Sequence, residues 1–397
     1  MSLIFKCVNE IASIPKEAWD ALCFPKASEN PFVRHAWLDA LEQSGCAGAE
    51  RDFQPMHLTL SRGKDLVAAA PAYLKETSDG DFSRDWGMAD AAQRAGIPYY
   101  PKLIVTVPFT PVTGRRILIA PGEPDLTEEL LAGAEKLARK VGAHSVHVLF
   151  PTGDEVDRIA QHGLTKRVAF QYHWRNAGYK TSDEFLGCFD SKRRNQLKRE
   201  RSEPLKQNIT IRTVRGEEML RDSAKWGKSA FELHRHTVDK LAWGRRWLNR
   251  GFYDHVFANM PESLEVVAAE QDGRLIAGAF NVATPTHLFG RYWGCFEEHR
   301  FLHFNVCLYH SIDECIANGT QVFEGGAGGE HKLARGFEPA ETYSAHRFFD
   351  ARLEIPFHQY LRQEAEERAQ ALERWRAERP ILKRAPGLER APGQVVE

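Results

Sequence analysis

The feature that most constrains this chain is a sequence of strand-like and helix-like segments that runs through the same order once in each half. In the first half, apolar alternation predicts strands over 57–60 and 66–74 around the turn Ser61-Arg-Gly-Lys-Asp65, then over 103–107 and 116–120. A helix is expected over 33–44, behind Asn30-Pro31, with Trp37, Leu38 and Leu41 on one face. A second helix over 127–141 carries Leu130, Leu131, Ala134 and Leu137 at helical spacing. A buried strand over 146–150 and a short helix over 154–162 close that half. The second half opens with a basic helix over 191–201, a strand over 209–214 and a long helix over 217–234. A hairpin follows, 264–270 and 275–282, around Asp272-Gly273. Next come a strand over 287–294, a helix over 305–318 stopped by Gly319, and a strand from Val322. Hairpin, strand, helix, strand therefore occurs twice, without a tight residue repeat. This order predicts an α/β (α+β) chain of two related halves with mixed central sheets. The boundaries expected are 1–165, 166–356, a charged C-terminal helix over 357–380 stopped by Pro380, and a Pro- and Gly-containing tail over 381–397 without fixed structure.

A length of 397 residues suits two or three domains. The net charge of −1 supplies no global field, so any anion site must be local and DNA is not an expected partner. Seven cysteines, an odd number without a Cys-x-x-Cys pair, are expected as reduced thiols. Lys6, Glu10, Lys16 and Glu17 interrupt any apolar leader, and the apolar run 66–74 contains Pro71 and falls short of the ~20 residues a bilayer requires. A cytoplasmic protein without membrane insertion is the expectation. No metal site is expected. His299 and His303 lack the Glu of a His-Glu-x-x-His helix, and His234 and His236 stand two apart.

Four clusters can carry chemistry. The densest is Glu324-Gly-Gly-Ala-Gly-Gly-Glu-His-Lys-Leu-Ala-Arg-Gly-Phe337, with four glycines in five residues after a predicted strand. Such a turn lets backbone approach a ligand, and Glu330, His331 and Lys332 beside it offer proton transfer and charge stabilisation. A glycine turn with solvated charges is the alternative. Arg291-Tyr-Trp-Gly294 ends a predicted strand and can line a groove or pack a core. Lys192-Arg-Arg194, Lys198-Arg199 and Arg201 form a basic helix that binds phosphate or is solvated beside Glu200 and Glu203. Tyr99-Tyr-Pro-Lys102 and Pro108-Phe-Thr-Pro111 are a cleft wall or a rigid connection.

With these residues in view, the chain resembles the FemAB-like family of N-acyltransferases over residues 30–361. The resemblance is carried by Tyr99-Tyr-Pro-Lys-Leu103, Val107-Pro-Phe-Thr-Pro-Val112, Arg193-Arg194 with Arg199-Glu200, Arg291-Tyr-Trp-Gly294, and Glu330-His-Lys-Leu-Ala-Arg-Gly-Phe337 followed by Tyr343-Ser-Ala-His346. Gly328 departs from it, since the family pattern has Gln before Gly-Glu-His-Lys. The resemblance implies two tandem GNAT-like acyltransferase domains. It also implies transfer of an acyl or aminoacyl group to an amine, a peptidoglycan precursor or related peptide, from aminoacyl-tRNA or acyl-CoA as cosubstrate, with no tightly bound cofactor. The expected catalytic residues are Glu330, His331 and Lys332, with Glu330 or His331 as proton acceptor. The expected substrate contacts are Tyr99, Tyr100, Lys102, Arg193, Arg194, Arg291, Tyr292, Trp293, Glu324, Arg335 and His346, converging on one pocket near residues 324–346. Lys192–Arg201 is the expected tRNA patch. The stretch 299–304 lacks the glycines of a CoA pyrophosphate turn, which argues against ordinary CoA binding. A CoA-dependent N-acetyltransferase of a small amine and a non-catalytic binder of cell-wall precursors remain the alternatives. Oligomeric state is not fixed by sequence.

Overall fold

The computed structural model describes residues 2–23, 30–240 and 244–378. Its strands in chain order are β1 Leu3–Val8, β2 Gln54–Pro55, β3 His57–Arg62, β4 Asp65–Ala70, β5 Ala72–Lys75, β6 Lys102–Val105, β7 Leu118–Ile119, β8 Ser145–Leu149, β9 Thr165–Arg175, β10 Ile209–Val214, β11 Leu264–Gln271, β12 Arg274–Ala283, β13 His287–Cys295, β14 Val322–Glu324 and β15 Glu338–Phe348. They form a four-stranded sheet, β1-β3-β4-β7, and an eleven-stranded sheet, β10-β11-β12-β13-β14-β9-β15-β8-β6-β5-β2. Two pairs are parallel, β6 with β8 and β13 with β14. Parallel neighbours need a crossover, and a helix lies in each connection, Thr127–Lys140 in the first and the helical stretch 302–318 in the second.

Local chemistry explains several departures from expectation. The run 66–74 is two strands in different sheets, because Pro71 has no N–H to give a ladder and breaks β4 from β5. The basic helix continues to Lys206 and contains Pro204. The helix expected over 217–234 is two, Gly216–Arg221 and Ser223–Lys240. Gly319 takes φ +72° and ends its helix as predicted. The C-terminal helix is Ala351–Glu378 and starts before residue 357. Its Leu353, Phe357 and Leu361 pack with Met88 and Ala92. The tail over 381–397 and Pro380 lie outside the described residues. Among the described residues, no helix is long and apolar enough to cross a membrane.

The two longest strands, β9 and β15, join the halves. β9 lies between β14 and β15, and β15 lies between β9 and β8. The large sheet is therefore continuous across the expected boundary near residue 165. The main core is shared as well. Phe32 meets Phe289 edge-to-face with ring centroids 5.2 Å apart, and Trp37 meets Phe252 at 5.1 Å. Each such pair contributes ~0.5–1.5 kcal/mol beyond its buried area.

Candidate functional site

The parallel pair in the second half is short. His287–Phe289 pair with Val322–Glu324; beyond that, β13 continues along β12 to Cys295 while the chain leaves β14 at Gly325. The strands diverge over a cleft of about 110 Å³ whose wall includes Asn281, Arg291, Trp293, His303, Cys307, His331 and Lys332. β13 is bulged here. Tyr292 faces Phe280 and Gly290 faces Asn281, so Arg291 is the extra residue. A bulge takes backbone groups out of the ladder and re-aims side chains, a recurring device beside reactive sites. Gly294 is required on the same strand, because a Cβ there would meet the Leu233 carbonyl oxygen at 1.9 Å. That close approach seats the helix Ser223–Lys240, from which His234 stacks on Tyr292 at 4.2 Å and bonds Tyr253 at 2.9 Å.

A second wall comes from the helical stretch 302–318. Its segment Asn305–Tyr309 is a π-turn, a departure often found at functional positions. Asn305 anchors it by donating to the carbonyls of Glu200 and Phe301. His303 and Cys307, four residues apart, both reach the cleft.

The glycine-rich turn closes the site. Gly326, Gly328 and Gly329 all have positive φ, which a side chain would oppose. Their turn brings the carbonyls of Gly326 and Gly328 to 2.8 and 2.7 Å from the Lys332 ammonium. Lys332 is only 6 % exposed, and among the described residues no carboxylate pairs with it. Burial pushes its pKa down to about 8. Burial and the nearby cations also lower His331, and burial with His331, Arg335 and Lys332 takes His303 down to about 4. Both imidazoles are therefore neutral at pH 7.

Residues 324–346, expected to converge on one pocket, are divided by the structure. His331 and Lys332 line the cleft with Arg291, Tyr292 and Trp293. Glu330 stands exposed on the outside of the turn. Arg335 turns away to Glu200 at 3.0 Å and Tyr309 at 2.8 Å, covered by the Phe304 ring. Glu324 faces the first half, accepting the Thr113 N–H among Arg291, Arg175 and Arg116. Burial outweighs those cations and lifts its pKa to about 8. Arg291 reaches the same connection and donates to the Phe109 carbonyl at 2.6 Å, while Gln171 donates to Pro111. The motif 107–112 is thus a clamp between halves.

The remaining expected contacts sit elsewhere. Lys102 is fully buried between Asp85 at 2.6 Å and Asp81 at 2.8 Å. Tyr99 donates to Asp85 and Tyr100 bonds Ser78. His346 bonds His147 on β8, in the first half and not beside His331. These four residues hold the first half together because their polar atoms are already partnered. Arg193 and Arg194 are half-exposed on the helix Ser191–Lys206, where Lys198 pairs with Asp183 and Arg201 with Asp313. The sequence analysis missed Asn281, His303 and Cys307. Asn281 had a signal, as the single polar residue in the apolar run 275–282.

The FemAB-like family model, described as peptidoglycan biosynthesis/recognition, matches residues 10–383. No curated protein matches significantly. Among solved structures, the chain is similar to FemX at 11 % identity and a TM-score of 0.51, over 91 % of this chain and 99 % of that one. It is also similar to the C-terminal domain of a protein from Agrobacterium fabrum provisionally described as a lysylphosphatidylglycerol synthetase. The identity is 11 % and the TM-score 0.51, over 88 % and 96 % of the two chains. A tandem GNAT protein from the clavulanic acid biosynthesis pathway aligns at 15 % identity and a TM-score of 0.42, over 87 % and 98 %. At such identities the likeness is one of fold. With the family matched over nearly its whole length, and a parallel splay in each half, the chain belongs to the FemAB-like family and shares the fold of FemX.

Proposed function

We propose that this chain is an N-acyltransferase that moves an acyl or aminoacyl group from an activated donor to an amine, at the splay of β13 and β14. The observation that carries this is the open cleft itself, where diverging parallel strands, a bulge at Arg291 and neutral imidazoles meet. The amine nitrogen attacks the donor carbonyl, forming the amide bond. The C–O bond of an aminoacyl ester, or the C–S bond of a thioester, then breaks. Backbone N–H groups released by the bulge suit the tetrahedral oxyanion, where one donor is worth ~3 kcal/mol. His331 takes the amine proton and passes it to the departing oxygen or sulfur. It is preferred to Glu330 because its ring lines the cleft.

The family description makes an amine of a peptidoglycan precursor peptide the favoured acceptor. Aminoacyl-tRNA is the favoured donor. Basic side chains of the helix Ser191–Lys206 that have no ion pair among the described residues, Lys192 and Arg194 among them, supply a local patch for its backbone. The test is to incubate the protein with alanyl-tRNA or acetyl-CoA and a lysine-bearing muropeptide, and to read amide product by mass spectrometry. His331→Ala is expected to lower turnover by ~10²-fold or more, and Glu330→Gln to change it only a few-fold. No amide from either donor, or full turnover by His331→Ala, overturns the reading.

A further inference from the structure

We infer that the second-half cleft holds the carboxylate of a small amino-acid or peptide substrate, with Asn281 and Lys332 as its donors. This rests on the reading of that cleft as the reacting site, and says which end of a substrate it grips. Among the described residues the wall of the cleft contains no Asp or Glu, yet it collects donors that the protein itself leaves unused. An ammonium has three N–H groups, and Lys332 spends two on Gly326 and Gly328. Asn281 is 2 % exposed and its Nδ2 has no partner among the described residues. Buried polar groups are satisfied in folded proteins with few exceptions, and an exception facing a cleft points to a ligand.

The ligand must therefore be acceptor-rich and anionic. An ionised carboxylate has two oxygens and no donor, which fits an amide and an ammonium side by side. Arg335, the other cation near the turn, is already matched by Glu200 and leaves the charge of Lys332 standing. A cleft of about 110 Å³ that opens to solvent admits a carboxylate with a small side chain against Asn281 and Lys332.

The experiment is calorimetric titration of the full chain, without any acyl donor, with N-acetylglycine, N-acetylglycinamide and inorganic phosphate. N-acetylglycine is expected to bind at least about tenfold more tightly than its amide. Lys332→Met should lose about tenfold in that affinity, and Asn281→Ala several-fold. Lys332→Met also frees two turn carbonyls, so Asn281→Ala, which removes a group with no internal bond at Nδ2, is the cleaner variant. Equal binding of acid and amide, unchanged affinity in a folded Asn281→Ala, or phosphate binding more tightly than the acid would each overturn the assignment. Transfer without acid–amide discrimination sinks the pocket and leaves the reaction standing. Discrimination without transfer does the reverse.

Discussion

The two halves each contain a parallel splay, and they treat it differently. In the first, β6 runs beside β8 over Leu103–Val105 and Val146–Val148. Where those strands part, the chain fills the gap with itself. Arg116 is 1 % exposed and donates to the carbonyls of Leu149, Val112 and Gly114. Gly114 donates to the Phe150 carbonyl, and Glu155 receives the N–H groups of Arg116 and Ile117. In the second half no such plug enters among the described residues, and a cleft remains. The first half also buries Lys75 and Lys102, and the second half Lys332. Burial alone would lower Lys102, but Asp85 and Asp81 outweigh it and hold its pKa well above the ordinary value. Lys332 has only carbonyls, and burial wins. A buried cation with its counter-ions is architecture. One without them is poised for an anion that comes and goes.

The largest effect expected from this contrast is on stability. Lys102→Met leaves Asp81 and Asp85 buried together without their cation, a loss of ~3–5 kcal/mol read as a collapse of the denaturation midpoint. Lys332→Met strands no carboxylate and should melt within ~1–2 kcal/mol of the parent. Equal melting of the two variants would break the comparison.

The next effect is a pH dependence of opposite sign. Lys332 has a folded pKa near 8 against ~10.4 unfolded. Between those values the unfolded chain binds more protons, so this residue's contribution to stability rises with pH, by ~3 kcal/mol in all. Lys102 contributes fully below ~10.4 and loses its contribution only as pH climbs through its raised folded value. Between pH 7.5 and 9.5 Glu324, lifted to about 8, titrates in parent and variant alike and cancels in their difference. His303, His331 and His173 are neutral there, and burial holds the Cys307 thiol protonated. Urea melts of parent and Lys332→Met at pH 7.5 and 9.5 give the difference. It should move in favour of the parent at the higher pH, and a constant difference would mean that Lys332 is not destabilised by burial.

What was legible in the sequence was what neighbours in the chain decide. The Asp272-Gly273 hairpin, the Gly319 cap and the amphipathic helix at 127–140 depend on local period and turn chemistry. β9 and β15 were not legible, because their partners are remote; Thr165 pairs with His346. Their charged positions hide the alternation as well, since Arg167 in β9 is covered by Glu364 of the last helix. Glu330, His331, Lys332 and Arg335 were visible as a cluster. Their directions were not, because a tight turn over Glu330–Arg335 sends neighbouring side chains to solvent, cleft and Glu200 in succession. Lys102 was visible as a charge in a motif, but Asp81 and Asp85 reach it from a loop some twenty residues earlier.

Gly328 gives the smallest and sharpest test, since the family pattern carries Gln there. Gly328 has φ +79°, and a Cβ built on it meets nothing within 4 Å. Gly328→Gln therefore meets no steric block, only the left-handed backbone, a cost of ~1–2 kcal/mol. The position matters because the Gly328 carbonyl is one of two acceptors for Lys332. If the turn keeps its shape, a modest loss of stability accompanies unchanged affinity for N-acetylglycine, and the cleft is set by Lys332 and Asn281. If instead the backbone flips to relieve the strain, that carbonyl leaves Lys332, and carboxylate affinity and stability change together. Titration and melting of this one variant then separate a cleft held by side chains from one held by the glycine turn, a distinction the plugged first half has no occasion to make.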